Sequence, residues 1–236
     1  GWVHLSTTTT IDYDKTNGTE HSVSTSYNYN ATNLQPKDIK IGLNDGNQIA
    51  KFMEYPLDNP TNAVCSTMIA KHIYTPVISE KQFKNSSPIY HRKINYEDWK
   101  NAHKIFEPKE ELYAKGDGNL ETRVLFADYN KQGNLLESNK VNDAPTSYLW
   151  DYGGYFLVAE VKNASTINQE IAYTSFESYN DNGWDVTNSA RISTSSVTGS
   201  KSYSLATGSI VFNGNLPSKS YYVTYWLKTV LRLKYT

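Results

Sequence analysis

The residues of this chain best placed to do chemistry are aromatic and amide side chains gathered in one loop. Asn180-Asp181-Asn182-Gly183 runs directly into Trp184 and Asp185. An exposed Trp ring can cover the C–H face of a sugar while neighbouring Asn and Asp groups bond its hydroxyls. Trp184, Asn182 and Asp185 are therefore the expected ligand-binding residues, with packing as the competing role for Trp184.

The other reactive residue types lack the spacing that catalysis needs. The five histidines, His4, His21, His72, His91 and His103, form no HExxH or other close ligand pattern, so they are read as surface or packing residues. Cys65 is the only cysteine and lies among Val64, Met68 and Ile69, the setting of an inert buried thiol rather than a nucleophile. Ser175, Ser195 and Ser209 have no Gly-x-Ser-x-Gly elbow around them. Carboxylate pairs such as Glu97/Asp98, Glu110/Glu111 and Asp181/Asp185 could work as acid and base only across a cleft of the right width. Acidic turns are their ordinary explanation. No catalytic residue is assigned, and the chain reads as non-enzymatic.

Composition narrows the partners. Among 236 residues there are 19 Tyr and 5 Trp against 2 Met, with a mean hydropathy of -0.61. Tyr and Thr fit a pleated, half-buried surface, so the bias is toward strands. Net charge is -1, from 23 basic and 24 acidic residues, which leaves no electrostatic footprint for nucleic acid. No apolar run approaches the ~18 residues of a spanning helix. The opening Gly1-Trp2-Val3-His4 shows no signal peptide.

The elements that must position these residues are mostly strands. Val23, Thr25, Tyr27 and Tyr29 alternate with polar residues, Ile39, Ile41 and Leu43 repeat the pattern, and Asn44-Asp45-Gly46 supplies a hairpin turn. Thr61 or Asn62 can cap a helix running through Ala63 to His72, ended by Pro76 and lying on the sheet as a lid. Val77 to Phe83 and Ile89 to Tyr96 read as strands, whereas Asn95 to Lys109 is open between a short helix and a polar connection. From Leu120 to Val161 the hairpins are clearest, and from Phe126 to Val161 one design appears twice: an aromatic-Asn or aromatic-Asp corner, a Gly turn and an alternating strand. There Tyr148, Trp150 and Tyr152 share one face by alternation, with Trp150 expected to pack on the sheet. After Ala172 the chain turns Ser-, Gly- and Asn-rich, with strand-like runs at Tyr173 to Glu177, Tyr203 to Leu205, Ser209 to Phe212 and Tyr221 to Lys228, Trp226 being expected in the core.

Two resemblances follow from these runs. Tyr129-Asn130-Lys131-Gln132-Gly133-Asn134-Leu135, then Trp150-Asp151-Tyr152, resembles the YD repeats of RHS proteins, long bacterial surface and secreted chains. Asn130 stands where that pattern prefers Asp, and Tyr155-Phe156 replaces its Gly-Arg/Asn. Tyr27 to Ile41 looks like a degenerate upstream unit. The resemblance implies stacked hairpins forming a β-sheet wall. Ser175-Phe176-Glu177, Trp184, Thr198 to Leu205, Leu216-Pro217 and Tyr221 to Lys228 resemble the first half of a carbohydrate-binding-module jelly roll, which implies Glu177 as a ligand to a structural calcium.

The expectation is thus an all-β chain: an antiparallel hairpin array over residues 1–170 with one short helix near 61–73, then a partial β-sandwich over 171–236. Its expected role is structural, as a segment of an RHS/YD-repeat protein outside the bacterial cell or on its surface. Its partners are the rest of a larger polypeptide or a neighbouring β-strand, without nucleic acid or a membrane span. No cofactor is expected beyond the structural calcium. A carbohydrate-binding protein acting through Trp184 is the alternative, with glycan as partner, and a carboxylate-dependent hydrolase the second alternative.

Overall fold

The structure, a computed structural model, describes residues 3–100, 105–214, 218 and 220–228. It is all-β with one short α-helix, and no helix among the described residues is long and apolar enough to cross a membrane. The chain divides into two compact units, residues 1–143 and 144–236.

The first unit is a meander. Its strands are β1 (Thr7–Tyr13), β2 (Glu20–Tyr29), β3 (Pro36–Gly42), β4 (Gln48–Glu54), β5 (Ser79–Lys84), β6 (Ser87–Trp99), β7 (Ile105–Lys115), β8 (Glu121–Tyr129) and β9 (Leu135–Lys140). Each pairs antiparallel with the strand before it in sequence. Short connections dictate most of these pairings, because a tight turn returns the chain beside the strand it has just left; the exception is β4 to β5, whose longer connection carries the helix. The stretch from Asn95 to Lys109, open in sequence, continues β6 and begins β7. Tyr96 lies opposite Pro108 and Trp99 opposite Ile105.

Several of the turns share one device. Asn130 Oδ1 accepts the backbone N–H groups of Gln132 and Asn134, both at 2.9 Å, while Gly133 N–H donates to Asn130 O at 3.1 Å. Gly133 sits at φ 84, a left-handed conformation that costs a residue with a Cβ. Tyr129, just before the corner, is buried, donates its hydroxyl to Pro108 O at 3.0 Å and packs against the Trp99 ring at 5.1 Å. The bond to the N–H two residues on recurs after two other strand-ending tyrosines. Asn30 Oδ1 accepts from Thr32 N at 2.9 Å after Tyr29, and Asp14 Oδ1 from Thr16 N at 2.7 Å after Tyr13. The Tyr13-Asp14 corner also closes from Gly18 N–H to Asp14 O at 2.8 Å.

The helix, α1 (Ala63–Ala70), is capped by Asn62, whose side chain accepts from Val64 N and Cys65 N. It stops two residues short of the expected His72, and Pro76 is not what stops it. His72 adopts φ 60, its N–H reaches Ile69 O and Ile73 N–H reaches Met68 O. This left-handed termination normally carries Gly. Cys65 and Met68 are buried beneath the helix, which lies against β6, and burial pushes the Cys65 thiol pKa up.

The second unit begins with the hairpin of β10 (Thr146–Asp151) and β11 (Phe156–Lys162). Two short pairs follow: β12 (Trp184–Val186) with β15 (Ile210–Phe212), and β13 (Arg191–Ile192) with β14 (Ser202–Tyr203). On β10 the buried side is Ser147, Leu149 and Asp151, while Tyr148 and Trp150 are half-buried. The aromatic side is therefore the less buried one. The division at 143/144 precedes the expected change at 170/171 because downstream residues bond back to β10. Ser147 Oγ donates to Ala164 O at 2.8 Å and Ser178 Oγ to the Asp151 carboxylate at 2.5 and 2.6 Å.

Two strand expectations in this unit are corrected. Tyr173 to Glu177 forms no strand, because Thr174 Oγ1 and Ser175 Oγ capture the N–H groups of Phe176 and Glu177. Tyr221 to Lys228 pairs with no strand among the described residues. Trp226 is consequently 82% exposed rather than in a core. The expected Leu216-Pro217 match lies outside the described residues.

Asn130→Ala should lower the unfolding free energy by about 1–2 kcal/mol in urea titration, because two backbone N–H groups lose their acceptor. Asn130→Asp should retain nearly all of it. Equal midpoints for all three proteins would show that the corner contributes nothing.

Candidate functional site

The expected ligand residues are near one another in sequence but do not converge. Trp184 opens β12 opposite Phe212, and the two rings meet edge to face at 5.7 Å, so the indole is half-buried by packing. Asp185 lies opposite Val211, and strand alternation sends it to the other face, where it is exposed. Asn182, at φ 41, is taken up by its own loop. Its Oδ1 accepts from Asn180 Nδ2 at 3.2 Å and its backbone O from Tyr173 N at 3.1 Å. Its Nδ2 is buried with no hydrogen-bond partner among the described residues.

Glu177, implied as a calcium ligand, already has its carboxylate engaged. Ser200 N, Ser200 Oγ and Lys201 N donate to it at 2.7, 2.7 and 2.6 Å. These bonds, the Ser200 side chain foremost, hold its pKa below the usual carboxylate value. Among the described residues no three His, Cys, Asp or Glu side chains gather as a metal would need. The donor set fits a hydrogen-bonded strut better than a cation.

The strut is part of a larger network that sequence reasoning missed. Asp151 is 1% exposed and accepts from Tyr152 N as well as from Ser178 Oγ. Asn180 Nδ2 donates to Trp150 O at 3.0 Å. Arg191, its side chain 4% exposed, pairs with Asp181 and donates to Phe176 O at 2.7 Å. Phe176 in turn stacks on Tyr203 at 5.0 Å. Residues 176–181 are thereby fixed on both sides of Tyr179, whose ring is 73% exposed. The Ser178-x-Asn180-Asp181 pattern was the available signal, since such residues bond backbone groups locally.

The carboxylate pairs are separated by the same alternation. Glu110 accepts from Asn95 Nδ2 and Thr122 Oγ1 at 2.9 and 3.0 Å, whereas Glu111 takes Arg92 and the Tyr113 hydroxyl on the other face. Glu97 pairs with Lys109 at 2.6 Å. Glu107 differs: its carboxyl is half-buried beside a cavity of about 300 Å³ that Ile73, Ile105, Lys131 and Gly133 also line. Burial raises its pKa, and burial with the neighbouring Glu107 charge pushes the Tyr96 phenol up to about 12. The histidines stay apart. His4 meets the Tyr29 ring, His21 approaches Asn44, His72 bonds Tyr74 and His91 bonds Ser79, while His103 lies outside the described residues.

Two measurements follow. A carboxyl whose folded pKa is raised stabilises the fold fully below its unfolded pKa, and that contribution is lost as pH rises through the folded value. Wild type should therefore lose stability, relative to Glu107→Gln, as pH climbs out of the ordinary Glu range; parallel pH profiles would remove Glu107 as the cause. Ser178→Ala, which leaves buried Asp151 short of a donor, should cost about 1–3 kcal/mol by chemical denaturation. Comparison with protein-family models and with curated proteins found no match for this chain.

Proposed function

We propose that this chain is a non-enzymatic wall segment of an RHS/YD-repeat type polypeptide, secreted or held at the bacterial cell surface. The observation that carries the reading is the repeated corner. Tyr13-Asp14, Tyr29-Asn30 and Tyr129-Asn130 each end a strand, and each uses the Asx side chain to bond the backbone N–H two residues on. A sheet assembled from such units extends by addition, each hairpin stabilised by its neighbours.

The edge of the sheet supports the same reading. β1 pairs with β2 alone among the described residues and is exposed throughout. Its Thr7 to Thr10 run carries no charge, no Pro and no bulge, the devices that normally block an edge. Its outer ladder groups suit one more strand, from the rest of a longer polypeptide. The charged pairs within the sheet, such as Lys51 with Glu80 at 2.9 Å, are bound to each other rather than aimed into a cleft.

Digestion with a broad-specificity protease tests the wall. Wild type should yield a resistant core across β2 to β8, and Ile94→Pro, which removes the Ile94 N–H to Ile78 O bond in mid-sheet, should lose it. Cleavage of wild type within β3 to β8 as fast as in a urea-unfolded control would overturn the reading. So would glycoside hydrolysis by wild type that disappears in Glu110→Gln or Glu111→Gln.

A further inference from the structure

We propose that the cavity at Glu107 on the first unit binds a small organic amine as its ammonium ion, with an apolar stem behind the charge. The other carboxylates of the same two strands show what sets Glu107 apart. Glu97, opposite it across β6 and β7, holds Lys109 at 2.6 Å, Glu110 accepts from Asn95 and Thr122, and Glu111 takes Arg92 and Tyr113. Among the described residues no donor reaches the Glu107 carboxylate, although it is half-buried. A carboxylate drawn out of water without a donor carries an uncompensated desolvation cost. A charged N–H group is what this one lacks.

The cavity gives such a ligand room. Its volume of about 300 Å³ stands at the lower end of the range for small-molecule pockets, so it suits a short stem. Gly133 keeps the carboxylate uncovered. A Cβ there would stand 3.7 Å from Glu107 Oε1 and 3.9 Å from Ile105 Cγ2, so any side chain at the corner would lie against the carboxylate. The glycine that the left-handed corner favours therefore also leaves the site open. Ile73, Ile105 and Phe106 line the rest, an apolar wall that fits an alkyl stem rather than a metal ion, which takes mostly oxygen ligands. Lys131 borders the same cavity, yet it is exposed, makes no ion pair with Glu107, and leaves burial as the cause of the raised Glu107 pKa. Its charge does not fill the place of the ligand. An ammonium entering the cavity bonds a half-buried carboxylate, where a charge-assisted hydrogen bond is stronger than at the open surface.

Amide NMR of the full chain at neutral pH tests this, with n-butylammonium as the probe and n-butanol and tetramethylammonium as comparisons. n-Butylammonium should shift the Ile105, Glu107 and Gly133 amide signals saturably. n-Butanol keeps the stem without the charge and tetramethylammonium keeps the charge without a donor, so neither should reproduce the response. Glu107→Gln, nearly the same in size, should weaken the n-butylammonium response about tenfold or more with no loss of melting temperature. Three results would each overturn the proposal: no saturable shift at these residues, an equal response to either comparison compound, or an undiminished response in Glu107→Gln. The wall reading is read out by protease resistance and stands or falls separately.

Discussion

The side-chain oxygen of an Asp or Asn, accepting a backbone N–H two residues further on, is the interaction on which the first unit depends. At Asp14, Asn30, Asp45 and Asn130 it sets the residue at which the chain turns, and a slip of one residue would exchange the two faces of the next strand. At Asn130 the bond is doubled by Asn134 N, and the preceding Tyr129 locks the corner to β7 through Pro108 O. Local chemistry therefore fixes register, and register decides which side chains meet.

What meets is as much polar as apolar. Arg92, Glu111 and Tyr113 form one charge-assisted group across β6 and β7, and burial pushes the Tyr113 phenol up to about 12, the Glu111 bond reinforcing it. Asp151 does the equivalent for the second unit, as a buried carboxylate around which a loop is bolted. Such groups are costly to leave unpaired, so they specify one arrangement even where their net contribution is small. Aromatic pairs lie beside them in the same sheet: Tyr90 leans on Tyr113 at 5.8 Å, and elsewhere Trp99 leans on Tyr129.

The strands of the first unit were legible because alternation and turn residues agree there, as in Ile39, Ile41 and Leu43 before Asn44-Asp45-Gly46. The helix was legible from Asn62, but its end was not, since a His in the left-handed position gives no sequence warning. Tyr13-Asp14 makes the same Asx bond as Tyr129-Asn130, but its glycine stands four residues on rather than three and its flanking strands are Thr- and Ser-rich rather than apolar, so the corner leaves a weaker trace in the sequence. In the second unit alternation misled. Tyr173 to Glu177 alternates like a strand, yet its hydroxyls satisfy the backbone locally and leave no ladder to form. Placement within a strand is a related matter: Trp184 and Asp185 are consecutive on β12 and so point to opposite faces.

The strictly sequential order of β1 to β9 bears on how such a chain reaches its final form. Every strand pairs with the one synthesised immediately before it, so no hairpin waits for residues still inside a ribosome or a secretion channel. Apart from β4 with β5, whose connection carries the helix, these contacts close short loops, and short loops close fast. The sheet can be laid down in the order in which the chain emerges, each new strand covering the open edge left by the last, and that edge is exposed to other chains only for the time one hairpin takes to arrive.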